Sequence, residues 1–332
     1  MAQSTQTPEF PKYGQPAPIA RLFGWFMMAA LGAFLINNVL IVAYEMPTAM
    51  AFLSDGFSLN GMVTPAIYLI AFIIAAYYVF SNPDNALRYD AAKLHQFNTF
   101  VVRAMFWSVF FVGLADAIVA FMRVENIFVA WLGEEQARAF GRSAFVAPFV
   151  HMPMIALGIV VAMFTRTLGF TWLALLIVAA ELLIVLSRFI FSYEQAFMGD
   201  LVRYWYAALF LFASAYTLYE EGHVRVDLIY AGLNNLKKGS VNAIGTVLCG
   251  LTTAWVILIV GMAGKTSMIN APIRTFEVSQ AGFAGMYIKY QMAVFIGLFA
   301  ITMLIQFVSY YFDAVADRRD EPGRREISPV SH

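Results

Sequence analysis

Glu181 is the residue whose position most directly implies chemistry, because it stands halfway along an apolar run, Phe170–Phe191. A carboxylate at the middle of a membrane-length helix cannot reach the headgroups, and its charge in lipid costs roughly 2.5–3.5 kcal/mol. It must be protonated, paired across helices or turned toward a polar cavity. Two roles follow, a proton or ion site and an interhelical hydrogen bond. A single carboxylate makes a poor relay, so the packing role is favoured.

Three other ionisable residues fall inside apolar runs. Arg103 and Asp116 lie near opposite ends of one run, and both are expected to extend back to the headgroups. His151 precedes Pro153 in the next run and is expected to be a packed, hydrogen-bonded residue. Arg188 follows Glu181 at a distance of about 10 Å along a helix, so a direct pair between them is marginal.

Denser polar clusters stand at the ends of apolar runs. Mixed charges at such positions are typical of solvated helix ends, and they also suit docking of another subunit. The first cluster contains Arg188, Tyr193, Glu194, Gln195, Asp200 and Arg203, and the second contains Glu220, Glu221, His223, Arg225 and Asp227.

Several kinds of chemistry are excluded by what the sequence lacks. Membrane haem needs paired histidines within spans, and His151 is the single histidine inside an apolar run. No lysine stands at mid-span for a retinal Schiff base, and no metal spacing, nucleophile elbow or phosphate loop occurs. The sequence therefore predicts neither an enzyme nor a bound cofactor.

The composition indicates that the helices that carry these residues lie in a membrane. Hydrophobic residues make up 61% of the 332 and charged residues 13%, about half the usual share. The net charge of zero gives no reason to expect nucleic acid as a partner. We predict an all-α, polytopic helical bundle in the lipid bilayer. The eight predicted spans are Leu22–Tyr44, Met62–Phe80, Phe97–Phe121, Phe145–Thr165, Phe170–Phe191, Val202–Tyr219, Asn242–Met262 and Met286–Phe312.

Loop charge and loop pattern complete the topology. Basic residues favour cytoplasmic loops, and the tail carries four arginines while the first loop on the other side has no Lys or Arg, so both termini are predicted to be cytoplasmic. Interfacial helices are predicted at 122–144 and at Val224–Lys238. Pro148 and Pro153 are expected to kink the fourth span. The tail from Asp317 onward is expected to be disordered.

Three motifs in the second half resemble one family. EEGHVRVDLIY (Glu220–Tyr230) after an apolar span is similar to the signature of the small, DctQ-type membrane subunit of TRAP transporters. The resemblance extends backward over Arg188–Leu218 and forward over Phe276–Gln306. The forward passage resembles the branch described for mannitol, chloroaromatic or 2-oxo acid transport, with the positions Glu277, Ser279, Gly285, Tyr287 and Lys289.

The resemblance implies a four-helix scaffold subunit of a sodium-coupled transporter for organic acids or related solutes in the bacterial inner membrane. Its partners would be a large DctM-type permease subunit and a periplasmic substrate-binding protein. Glu277 and Lys289 join the polar clusters as candidate interface residues. The domains predicted are a polar N-terminus (1–20), a four-span extension (21–166), a DctQ-like domain (167–314) and a charged tail (315–332).

Two other hypotheses about the function of the chain remain open. The first is a self-sufficient secondary carrier or proton-coupled protein that uses Glu181, with Asp116, Arg103 and His151 as further members. The second is a membrane anchor for a redox complex, which the shortage of histidines within spans disfavours. The role of the first four spans is not supplied by the resemblance.

Overall fold

The computed structural model describes residues 11–48, 59–220, 230 and 232–324. Within these ranges the chain is helical, and its one β-type pairing is an isolated bridge between Tyr13 and Asn85. The predicted all-α class is confirmed. The helices are α1 (Pro18–Ala43), α2 (Leu59–Ser81), α3 (Leu87–Val124), α4 (Ile127–Leu132), α5 (Glu134–Phe140), α6 (Ser143–Phe164), α7 (Phe170–Phe191), α8 (Ala196–Tyr219), α9 (Asn235–Gly261), α10 (Asn270–Thr275) and α11 (Lys289–Arg318).

Seven of the described helices are long and apolar enough to cross a membrane, and the chain is a multi-pass membrane protein. They correspond to seven of the eight predicted spans, whose ends lie within the helices or at most three residues beyond them; the remaining one, Val202–Tyr219, forms most of α8. This helix has 24 residues, enough to cross, but it carries Asp200, Arg203 and several tyrosines, which lower its hydropathy.

The two described ends of the chain lie at the same end of one compact unit. Arg319 donates a hydrogen bond to the carbonyl oxygen of Pro16 at 3.0 Å. An odd number of crossings would place the start of α1 and the end of α11 on opposite faces of the membrane. We therefore infer that α8 is the eighth crossing.

Two of the spanning helices change their winding, α6 near its start and α9 near its middle. Wider π-helical turns occupy Ala147–His151 in α6 and Thr246–Leu251 in α9. The first begins beside Pro148, which lacks the N–H that a regular α-helix needs at that position. The predicted irregularity of the fourth span is thus a π segment, a feature that occurs frequently at functional sites.

The described chain divides into two compact units, and each draws on both halves of the sequence. Unit 1 comprises the described residues within 1–98, 217–259 and 303–332, and unit 2 comprises 99–216 and 260–302. These units are defined by contacts, whereas the predicted division at 166 and 167 was made by family resemblance and stays a prediction.

Buried arginines organise one end of unit 1. Arg21 and Asp90 form an ion pair of 2.7 Å in which both side chains are fully buried, and Trp25 Nε1 donates to the same carboxylate at 3.0 Å. Arg88 binds Asp317 at 2.7 Å and also donates to two backbone oxygens of the segment after α11. The tail expected to be disordered from Asp317 is therefore helical to Arg318 and held by Arg88 as far as Pro322.

Unit 2 is packed through aromatic rings and a close helix pair. Phe106 meets Phe170 with ring centroids 4.5 Å apart, and Phe212 meets Phe295 at 4.9 Å. Gly158 lies against the backbone of Ser108, so that α3 and α6 approach closely.

Two short helices, α4 and α5, occupy the predicted interfacial region 122–144. The second predicted amphipathic helix falls partly outside the described residues. Its described part differs from the prediction, since 232–234 are not helical and α9 starts at Asn235 with Asn234 as its N-cap.

Candidate functional site

Unit 2 carries a polar cleft at the end where α7 stops and α8 and α11 begin. The cleft has a volume of about 630 Å³. The structure brings four predicted site residues, Glu194, Asp200, Arg203 and Lys289, to its walls. Its other polar lining residues are Gln195, Ser279 and Gln280.

Two ion pairs stand at the rim of the polar cleft. Arg188 Nε lies 3.1 Å from Glu194 Oε2, and Lys289 Nζ lies 2.5 Å from Glu277 Oε1. All four side chains are roughly half exposed. Exposed pairs of this kind contribute about 0–1 kcal/mol each, so their charges are free to form new pairs with a docking partner at little cost.

Asp200 has a different role, because its side chain is buried. Its Oδ2 accepts hydrogen bonds from the backbone N–H of Met286 at 3.1 Å and from Ser279 Oγ at 3.2 Å. Arg203 lies one turn along α8 with its Nη1 3.6 Å from Asp200 Oδ1, and its own side chain is exposed. Asp200 therefore holds the segment 276–288 from beneath, while Arg203 presents its charge to the cleft.

A second acid and an arginine hold the other side of the same segment. Asp116 accepts from the backbone N–H of Tyr287 at 2.7 Å. Arg123 donates to the carbonyl oxygens of Phe283, at 2.8 Å, and Gly285, and its guanidinium lies 4.0 Å from the centre of the Tyr287 ring. Both residues belong to α3, which precedes the family-like region, so residues of the predicted extension hold this loop together with Asp200.

Gly285 is required by the tightness of this arrangement. A Cβ atom at this position would lie 2.6 Å from Ser279 Oγ and 2.7 Å from Asp200 Oδ2. The motif positions Glu277, Ser279, Gly285, Tyr287 and Lys289 are thus explained by the anchoring of one loop.

A chain of buried polar side chains continues from Asp116 into unit 2. His151 Nδ1 is 2.8 Å from Tyr290 Oη, which in turn accepts from Gln291 Nε2 at 3.2 Å, and Tyr204 donates to the oxygen of the same Gln291. His151 Nε2 lies 3.2 Å from Asp116 Oδ1, but the two are not aligned as a hydrogen bond. The predicted packed, hydrogen-bonded state of His151 is confirmed.

The expectation that Asp116 extends to the headgroups is wrong. Its side chain is fully buried, because a loop amide and His151 supply partners inside the protein. Arg103 also finds protein partners, since it donates to the carbonyl oxygens of Ala162 at 3.3 Å and Thr165 at 2.7 Å at the end of α6.

Glu181 stands apart from both the cleft and the buried chain. It is exposed on α7, together with the apolar side chains of Leu182, Val178 and Val185. No hydrogen bond or ion pair joins its carboxylate to another described residue, and Arg188 pairs with Glu194 instead. An interhelical hydrogen bond to this carboxylate is therefore not formed among the described parts of this chain.

The second predicted polar cluster is only partly described. Glu220 is exposed directly after α8. Glu221, His223, Arg225 and Asp227 lie outside the described residues.

Tyr193 closes the turn between α7 and α8. Its hydroxyl donates to Glu125 Oε1 at 2.8 Å. Burial raises its pKa to about 12, and the hydrogen bond to the Glu125 carboxylate adds to the rise. Across the described residues, no group of three or more His, Cys, Asp or Glu is arranged to hold a metal ion.

The model of one protein family matches this region. Residues 174–312 match the DctQ component of tripartite ATP-independent periplasmic transporters, and the resemblance drawn from the sequence is confirmed. This is a family of transporter components and not of enzymes. Asp200 and the loop 276–288 fall within the match, whereas Asp116, Arg123 and His151 precede it. No curated protein and no solved structure matches the chain.

Proposed function

We propose that this chain is the small membrane subunit of a sodium-coupled tripartite transporter for organic acids or related solutes. The DctQ match over residues 174–312 is the observation that carries the proposal. The partners are a large DctM-type permease subunit, which would hold the substrate and sodium sites, and a periplasmic binding protein. The chain lies in the bacterial inner membrane with both termini cytoplasmic, and it catalyses no reaction.

The exposed face of α7 supports docking of the large subunit. Only 6% of the most apolar stretch of α7 is buried within this chain, and Glu181 stands on that exposed surface. A carboxylate left facing lipid is costly, whereas a polar or basic group on a partner helix would satisfy it. We assign the Glu181 face of α7 to the contact with the large subunit.

The polar cleft is suited to the binding protein. With the termini cytoplasmic, α7 runs outward and its C-terminal end reaches the periplasm, so the cleft opens toward that protein. Its rim charges, Arg188, Glu194, Glu277 and Lys289, are exposed and mixed in sign. Such surfaces steer encounter and fix register more than they add affinity.

The extension has a bracing role in this proposal. Asp116 and Arg123 of α3 bind the loop that ends at the cleft, and Tyr287 Oη donates to the carbonyl of Gly141 at 2.8 Å. A loop tied at both sides presents Ser279 and Lys289 in a fixed geometry, which lowers the entropy lost on docking.

A second candidate is a proton-coupled carrier, and one observation favours it. Asp116 and His151 face each other inside unit 2, fully buried and beside the π segment of α6. Buried ionisable pairs at irregular helix segments occur in transport paths. Glu181 would be a further member of such a path.

Co-purification with the large subunit tests the first proposal. The full chain is expressed with the large subunit, isolated by an affinity tag in mild detergent and weighed by native mass spectrometry. We expect a stable complex for the wild type and for Glu181→Gln, which keeps a hydrogen-bonding group. Glu181→Leu should lower recovery of the large subunit severalfold.

Glu135→Leu is the matched control, since Glu135 is an exposed carboxylate on the short helix α5. It should leave recovery unchanged. Equal recovery with Glu181→Leu would contradict the assignment of α7. Purification of the wild-type chain without the large subunit would contradict the proposed function.

A further inference from the structure

A second surface of unit 2 has the features of a lipid site. An apolar groove of about 290 Å³ lies between α3 and the start of α7. Trp172 is exposed beside it, and Leu173 closes its base as a buried residue. The groove is lined by Phe106, Trp107, Phe110, Gly169, Trp172, Leu173 and Leu176.

The groove lies at the opposite end of α7 from the polar cleft. Helix α7 has 22 residues, so its ends are about 33 Å apart, close to the thickness of a bilayer core. Gly169 therefore stands near headgroup level, while Leu176 is two turns deeper. A ligand along the groove would have one end among headgroups and the other among acyl chains.

Two arginines stand at the headgroup end without a carboxylate. Arg103 is one turn before Trp107 on α3, and its described partners are backbone carbonyls. Arg166 is exposed, makes no described ion pair and lies close enough to Arg103 for their charges to repel. The acidic residues of unit 2 all lie nearer the other end or at mid-span: Asp116, Glu125, Glu134, Glu135, Glu181, Glu194, Asp200 and Glu277.

Three buried polar atoms around this end have no hydrogen-bond partner within the part of the chain that the structure describes. They are Arg103 Nε, Trp107 Nε1 and Thr165 Oγ1. Arg103 Nη1 donates to carbonyl oxygens at the end of α6, but the Nε donor of the same guanidinium is left unused. In addition, the N-cap of α7 is Gly169, which has no side chain to cap the helix, so the N–H groups of the first turn face this end.

We propose that this groove binds one anionic phospholipid. An acyl chain lies against Phe110, Trp172 and Leu176, and the phosphate is held by Arg103, Arg166 and the first turn of α7. An anionic lipid fits better than a zwitterionic one, because the two positive charges here have no counter-charge among the described residues. This site is separate from the cleft and from the Glu181 face.

Native mass spectrometry of the full chain with a mixture of phosphatidylglycerol and phosphatidylcholine tests the proposal. We expect the wild type to retain one phosphatidylglycerol in preference to phosphatidylcholine. Arg166→Gln should lower the preference about fivefold, the effect of removing one basic charge near a phosphate. Leu176→Trp, which fills the groove, should lower retention of both lipids.

Arg142→Gln is the control, because Arg142 is also exposed and without a described ion pair but lies at the other end of unit 2. It should retain phosphatidylglycerol as the wild type does. Arg103→Gln is a secondary variant whose thermal unfolding must first match the wild type. Equal retention of the two lipids by the wild type, or an equal loss in Arg166→Gln and Arg142→Gln, would overturn the proposal.

Discussion

The buried carboxylate of Asp200 accepts a hydrogen bond from the backbone N–H of Met286, 86 positions later in the chain, at 3.1 Å. Met286 is fully buried, so no water can replace this acceptor. The contact ties the second turn of α8 to the segment that leads into α11. The shape of the polar cleft therefore depends in part on Asp200, a residue of its own wall.

Replacing Asp200 by Ala should release this segment. The buried N–H of Met286 would be left unpaired, at a cost of about 1–3 kcal/mol. We expect lower thermal stability in detergent and faster hydrogen exchange in residues 282–288. Arg203→Ala is the control, since this exposed arginine contributes about 0–1 kcal/mol and should leave exchange unchanged. Unchanged exchange in Asp200→Ala would contradict the anchoring role.

Gly285→Ala should be destabilising although it adds one methyl group. The new Cβ would lie 2.6 Å from Ser279 Oγ and 2.7 Å from Asp200 Oδ2, two atoms that are already joined by a hydrogen bond. Overpacking of this kind costs about 1–3 kcal/mol. Gly199→Ala, at a helical glycine of the same cleft with open space around it, should be neutral or stabilising. We therefore expect the unfolding temperature to fall for Gly285→Ala and to stay the same or rise for Gly199→Ala. A similar fall in both would refute the steric explanation.

Tyr290→Phe should weaken the buried polar chain. The hydroxyl it removes is the partner of His151 Nδ1 and of Gln291 Nε2. Two buried groups would lose a hydrogen bond, so we expect a loss of about 1–3 kcal/mol by thermal unfolding. Tyr206→Phe, at an exposed tyrosine of α8, should stay within about 0.5 kcal/mol of the wild type. If Tyr290→Phe were equally neutral, the hydrogen bonds of the Tyr290 hydroxyl would contribute nothing measurable to the stability of the protein.

Tyr193 should ionise well above the other exposed tyrosines. Burial and the hydrogen bond to Glu125 raise its pKa from 10 to about 12. Because the pKa of Tyr193 is higher in the folded than in the unfolded protein, the protonated hydroxyl stabilises the fold. This stabilisation is complete below pH 10 and is lost as the pH rises through about 12. The ultraviolet titration of the wild type minus that of Tyr193→Phe should show one group with a midpoint near 12. A midpoint near 10 would contradict the hydrogen bond from Tyr193 to Glu125.

The sequence predicted the spans well, because hydrophobic length is a local property. The predicted fifth span, Phe170–Phe191, has the same bounds as α7. The membrane class and the polar ends of the helices followed from the same signal, and the family motifs located the residues of the cleft.

What the sequence could not supply were partners distant along the chain. Asp116 had the pattern of a residue near a headgroup, yet His151 and the Tyr287 amide hold it inside. Arg88 likewise holds 317–322, the first part of a tail that composition marked as disordered. The pairing of Arg188 with Glu194 depends on the reversal at Ser192, where φ is 51°, and no spacing rule predicts that turn.

Solute uptake into proteoliposomes tests the central claim most directly. The solute is the ligand that co-purifies with the binding protein of the same transporter, and uptake is driven by an inward sodium gradient. The account predicts accumulation when this chain, the large subunit and the loaded binding protein are all present, and none with this chain alone. Sodium-driven uptake by this chain without the large subunit would contradict it.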